Sequence, residues 1–123
     1  MSGKVTVQFD MMITNTGDNP AFFIVRGKGG ENIVQFDWRK SQIGFNIEGG
    51  WEGVVDAEEN AYKSIKLVID TDSKTLDMYV DGELVEQSRR FRESASEIAS
   101  IQIGPFGGAT QTIYVDNIAV YTE

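Results

Sequence analysis

The chain has 123 residues, 41% of them hydrophobic and 24% charged, with 19 acidic side chains against 11 basic ones for a net charge of −8. This size suits one domain over residues 1–123, and the composition is that of a folded globular chain rather than a disordered one. The acidic balance argues against nucleic acid or an anionic membrane surface as partner. The lack of histidine and cysteine removes disulfides and the usual serine-triad and cysteine–histidine mechanisms.

Apolar and polar residues alternate at strand period through nearly the whole chain. Val5, Val7, Phe9 and Met11 open the series, alternating with Thr6, Gln8, Asp10 and Met12. Strands over Ala21–Arg26 and Asn32–Trp38 flank GKGGE, whose glycines accept positive φ and so predict a hairpin. Gln42–Glu48 follows with Ile43, Phe45 and Ile47 on one face, and EGGWEG predicts a turn or bulge before Val54 and Val55. DAEENAY is too short for a main helix. Tyr62–Asp70 and Thr75–Val80 are strands around the turn DTDSK, and Asp81-Gly82 is a hairpin dipeptide leading into Glu83–Gln87. SRRFRESASEIAS is the least strand-like stretch, and the spacing of Ser94 and Glu97 fits a helix capping box. Ile98–Ile103 and Gln111–Thr122, separated by the glycine-rich GPFGGAT, complete about ten strands. The expected fold is all-β, a two-sheet antiparallel β-sandwich, with a lipocalin-like barrel as the competing architecture.

The string YKSIKLVIDTDSKTLDMYVDGELV resembles the segment that runs through laminin-G-like and concanavalin A-like jelly rolls. The closing TIYVDNIAVYTE is similar to the last strand of those domains and of many carbohydrate-binding modules. Together these stretches cover about the last half of the chain. The resemblance implies a jelly roll that binds sugar on a concave sheet or on loops along one edge. It also brings in lectins, glycanases, polysaccharide lyases and non-catalytic modules, and fold alone does not choose among them.

Catalysis finds little support in the residues. Glycosidases need two carboxyl groups roughly 5–9 Å apart, and the E-x-D-x-x-E pattern of the jelly-roll β-glucanases is absent. The pairs Asp56 with Glu58 and Asp70 with Asp72 fall in turns, where carboxylates commonly cap backbone amides. RRFRE does not reproduce the lyase motif, and Arg89, Arg90 and Arg92 read as a solvated stripe. The expectation is therefore a chain that is not an enzyme.

Binding is better supported, because sugar sites combine an aromatic platform with amides and carboxylates that meet hydroxyls. Trp51, between Gly49-Gly50 and Glu52-Gly53, is the leading platform, with Trp38 at a strand end as the second; Tyr62 is read as core. Gln35 and Asp37 alternate with Val34 and Phe36, and Asn46 and Glu48 alternate with Ile43, Phe45 and Ile47. If the two strands are neighbours, Gln35, Asp37, Asn46 and Glu48 line one surface with the tryptophans near its ends. The bland alternative is the solvated outer face that every such sandwich owns. No cofactor is required, although the resemblance leaves room for one structural Ca2+, with Asp116 of the VDN pattern and Asp10 as its carboxylates.

These residues predict non-catalytic binding of a neutral glycan, with no nucleic acid and no membrane as partner. The chain reads as a module appended to a larger glycan-degrading enzyme, extracellular or on the cell surface if its parent is secreted. MSGKVTVQ itself lacks the apolar centre of a signal peptide. A laminin-G-like interaction or structural domain is the alternative reading, and a small glycanase or lyase the third.

Overall fold

The computed structural model describes residues 1–14, 17, 21–105 and 112–122. Among them are ten strands and no helix: β1 Lys4–Ile13, β2 Ala21–Gly27, β3 Asn32–Arg39, β4 Gln42–Ile47, β5 Gly50–Asp56, β6 Lys63–Asp70, β7 Thr75–Val80, β8 Glu83–Arg90, β9 Ile98–Pro105 and β10 Ile113–Thr122. They form two five-stranded antiparallel sheets, ordered β10-β1-β6-β7-β8 and β5-β4-β3-β2-β9. The open order of both sheets replaces the closed-barrel alternative. Positions 106–111 of the glycine-rich linker before β10 lie outside the described residues.

Alternation determines which side chains meet between the sheets. Val5, Val7, Phe9, Met11 and Ile13 of β1 point inward and are buried, as do Ile65, Leu67 and Ile69 of β6. From the facing sheet come Phe23, Val25, Phe36, Trp38, Ile43 and Phe45. Phe9 stacks on Phe23 at 4.5 Å between ring centroids, and Phe23 on Phe36 at 4.9 Å, so one aromatic column crosses both layers. Each such side chain contributes about 1.5–3 kcal/mol by leaving water.

Hairpin turns set the register. Asp81 and Gly82 both have positive φ, 52° and 84°, as a two-residue turn between right-twisting strands requires. The Asp81 carboxylate accepts the Ser64 N–H at 2.9 Å and pairs with Lys63 at 3.2 Å, anchoring the turn to the start of β6. Between β3 and β4 the same task falls to Lys40 and Ser41, with φ of 53° and 59° and no glycine. In DTDSK, Asp70 accepts the N–H groups of Asp72 and Ser73 at 2.9 and 3.2 Å, which holds its carboxyl below the usual range.

Two expectations need correction. The stretch after β8 is not helical: the Arg92 and Glu93 N–H groups bond to the carbonyls of Ile33 and Asn32 at 2.8 and 3.0 Å. Residues 92 and 93 thereby serve the edge of β3 beyond the end of β4, while the Phe91 N–H bonds to the Lys74 carbonyl at 3.1 Å, and the Ser94–Glu97 spacing caps no helix among the described residues. Tyr62 precedes β6 and is 51% exposed, because β6 begins only at Lys63 and leaves the ring beyond the packed layer.

Candidate functional site

β3 and β4 are neighbours, with Phe36 opposite Phe45 and Asp37 opposite Gly44. Opposite to the core-facing Phe36, Trp38, Ile43 and Phe45, the outer face carries Gln35, Asp37, Arg39, Gly44 and Asn46, joined by Trp51 of β5, which pairs with Asn46. At the centre lies Asp37, only 1% exposed. Gln35 Nε2 donates to its Oδ1 at 3.1 Å and Asn46 Nδ2 to its Oδ2 at 3.3 Å, while Asn32 Nδ2 donates to Gln35 Oε1 at 3.1 Å. Burial pushes the Asp37 carboxyl above its ordinary value, opposed in part by these amides and by the nearby Arg39 charge. The expectation that Asp37 meets ligand directly is corrected by this depth. It lies beneath the surface and holds two amides in fixed orientations.

Trp51 lies in a trough made by glycines. A Cβ on Gly44 would fall 2.6 Å from Trp51 Cε2 and 2.3 Å from the Glu52 carbonyl oxygen, and one on Gly53 would fall 3.2 Å from Trp51 Cη2. The indole is half-buried, the Arg39 guanidinium stands 4.4 Å from its ring centroid, and its N–H finds no acceptor among the described residues. Trp51 and Arg39 thus form one stacked wall beside the amides.

Trp38 requires correction as a platform. It is 1% exposed, and its indole N–H donates to the Ala57 carbonyl at 2.9 Å inside the core. Its parity with Val34 and Phe36 was the signal, since residues two and four apart on a strand share a face. Glu48 is exposed in the turn after β4. It borders a depression of about 170 Å3 together with Gln35, Asn46 and the segment Arg89–Arg92. The sequence did not connect those arginines to this face. Arg89 is no part of a solvated stripe either: its side chain is 16% exposed, it pairs with Glu52 at 3.2 Å and Glu86 at 3.5 Å, and its guanidinium sits 4.0 Å from the Phe45 ring centroid.

Asp10 and Asp116 stand opposite each other across β1 and β10. Asp10 Oδ2 accepts from Asn117 Nδ2 at 2.7 Å, and Asp116 Oδ1 accepts from the Asn117 N–H at 2.8 Å. Calcium takes six to eight oxygens, whereas among the described residues no group of three His, Cys, Asp or Glu side chains converges. Amide donors are already directed at both carboxylates, so an ion here would have to displace them and take its other oxygens from carbonyls or hydroxyls.

The face therefore offers oriented amides, one exposed carboxylate, guanidinium groups and an indole wall, which is equipment for hydrogen-bonding and packing against a polyhydroxylated ring. No family model matches the chain, and no curated protein does. Solved structures do. A sialidase superposes with a TM-score of 0.82 at 12% identity, over 98% of this chain and 13% of its own. A point variant of human galectin-16 superposes at 0.71 with 13% identity, over 98% and 89%. The alginate lyase AlgAT5 superposes at 0.67 with 14% identity, over 98% and 59%. The chain thus spans a small fraction of the sialidase and most of the galectin. The two five-stranded antiparallel sheets and these superpositions show that this chain has a jelly-roll β-sandwich fold, of the concanavalin A-like kind.

Proposed function

We propose that the chain binds a neutral oligosaccharide or polysaccharide without cleaving it, on the outer face of β3, β4 and β5. The observation that carries this reading is the buried Asp37, which orients the Gln35 and Asn46 amides beside the Trp51–Arg39 wall. A purely solvated face has no use for a desolvated carboxylate, whose burial costs free energy unless hydrogen bonds offset it. In this reading Asn46, Gln35 and Glu48 meet hydroxyls, and Arg39 donates from the rim. The Trp51 edge packs against the C–H face of the ring. Asp37 is buried and tied to both amides, which leaves Glu48 as the one carboxylate lining the depression where a glycosidase uses two, and this favours retention over hydrolysis. The names of the superposed sialidase and alginate lyase support a sugar ligand, and we further propose that the chain serves as a module of a larger extracellular or cell-surface glycan-degrading protein.

Affinity gel electrophoresis against soluble neutral and anionic polysaccharides tests the reading. The wild type should be retarded by at least one neutral polymer, and Trp51→Ala should weaken retention about tenfold or more. A wild type that runs unretarded through every gel would sink it. The alternative, a protein-interaction domain, draws on β10, where Tyr114, Ile118 and Val120 are exposed. Retention by a protein partner with no glycan retention would favour it.

A further inference from the structure

The opposite sheet carries a second concavity, about 410 Å3 in volume, within the range of roughly 300–1,000 Å3 typical of small-molecule sites. It opens on the outer face of β10, β1, β6 and β7, on the far side of the sandwich from Trp51. Register builds it from three strands: Gln8 stands opposite Lys66, Lys66 opposite Tyr79, and Asp10 opposite Ser64. A bulge where β10 passes Gln8 and Asp10, with Asn117 at φ 54°, turns the Asn117 amide onto Asp10. Gly82, which has no side chain, borders the opening.

We propose that this cleft is a second saccharide site, taking a neutral, hydroxyl-rich ring or short chain. Two internal bonds hold its polar groups in place: Asn117 Nδ2 donates to Asp10, and Tyr121 Oη donates to Gln8 Oε1 at 3.2 Å. These leave Gln8 Nε2, Ser64 Oγ and Lys66 Nζ without a hydrogen-bond partner among the described residues, each on a residue that lines the ligand-sized space. Lys66 Nζ rests 5.1 Å from the Tyr79 ring centroid. An exposed contact of that kind is weak, so Lys66 exchanges it for a ligand hydroxyl and frees the ring to pack against sugar C–H groups. Lys66 and Asp10 line the cleft with opposite charges, Lys63 pairs with Asp81 beside it, and Asp116 opposite Asp10 adds one further negative charge, which favours a neutral ligand over an anionic one. The second site shares its ligand chemistry with the face around Trp51 but none of its residues. Back-to-back sites let one chain join two glycan strands and gain avidity on a polymer.

The test is 15N NMR titration of the wild type and of Trp51→Ala with cellotriose, xylotriose, mannotriose and lactose. At least one sugar should produce saturable changes at the amide resonances of Ser64, Lys66, Tyr79 and Asn117 in both proteins. Tyr79→Ala and the surface-exposed Lys66→Ala should each weaken this response about tenfold. Changes confined to the Trp51 face, with Ser64, Lys66 and Asn117 silent for every sugar, would overturn the second site and leave the proposed function standing. Changes confined to the Tyr79 cleft would support the second site and remove the first. Silence at both would overturn both.

Discussion

Asp37 shows how one residue sets the behaviour of a face. Its pKa is raised above the ordinary 3.8 because desolvation outweighs the two amide hydrogen bonds and the Arg39 charge. The native state therefore holds this proton more tightly than the unfolded chain does. Its effect on stability is most favourable below 3.8 and declines as pH rises through the native value, by about 1.4 kcal/mol for each pH unit that separates the native and unfolded values. Urea unfolding at a series of pH values should show that decline in the difference between the wild type and Asp37→Asn, in which the opposite contribution of Asp70 cancels. The same variant should bind glycan about tenfold more weakly, because one of the two amides loses its acceptor. An unchanged pH profile would mean that Asp37 is solvated. The two tryptophans separate at this scale as well. Trp38→Ala empties a core site and should cost about 3–5 kcal/mol in chemical denaturation, whereas Trp51→Ala, half-buried, should cost less stability and more binding. The polar row Gln35, Asp37 and Asn46 was readable from alternation. The depth of Asp37 was not, since it depends on the neighbouring strand supplying Gly44 and Trp51.

At the scale of elements, β4 and β5 form the hairpin on which the site depends. The sequence showed glycines punctuating this region, and the structure shows what two of them are for: Gly44 and Gly53 clear the trough in which the Trp51 indole lies. Gly44→Ala would place a methyl 2.3 Å from the Glu52 carbonyl oxygen, so backbone must move rather than a flexible side-chain end. The expected outcome is a loss of about 1–3 kcal/mol, a change in tryptophan fluorescence as Trp51 is lifted, and lost glycan retention. Retained binding with unchanged fluorescence would show that the trough does not position the indole. The strands and the Asp81-Gly82 turn were legible, because each is a local pattern of period two or a turn dipeptide, whereas the pairing of β3 with β4 entered only as a condition, since Lys40-Ser41 carries no such dipeptide. Residues 92 and 93 were not legible, because their backbone partners are Ile33 and Asn32, some sixty positions away in sequence. No local propensity encodes a bond of that reach.

Across the whole molecule the sandwich is closed differently on its two sides. On β10, the edge strand next to β1, Ile118 and Val120 are exposed, Ile118 to 54%, so apolar side chains reach solvent there. Where β5 faces β8, Arg89 shuts the gap, reaching from β8 to Glu52 on β5 while its guanidinium covers the Phe45 ring. Surface ion pairs are usually worth little, but this guanidinium is mostly withdrawn from water and works through packing as well as charge. Arg89→Ala should therefore lower the unfolding free energy by about 1–3 kcal/mol. Arg90→Ala, exposed on the same strand, should stay within about 0.5 kcal/mol of the wild type. Because the larger part of the Arg89 contribution is contact with Phe45 and not long-range attraction, most of the difference between the two variants should persist in molar sodium chloride. Equal losses from both variants, or a difference abolished by salt, would show that the sheets are held together by the central aromatic column alone and that Arg89 is one more charge on the surface.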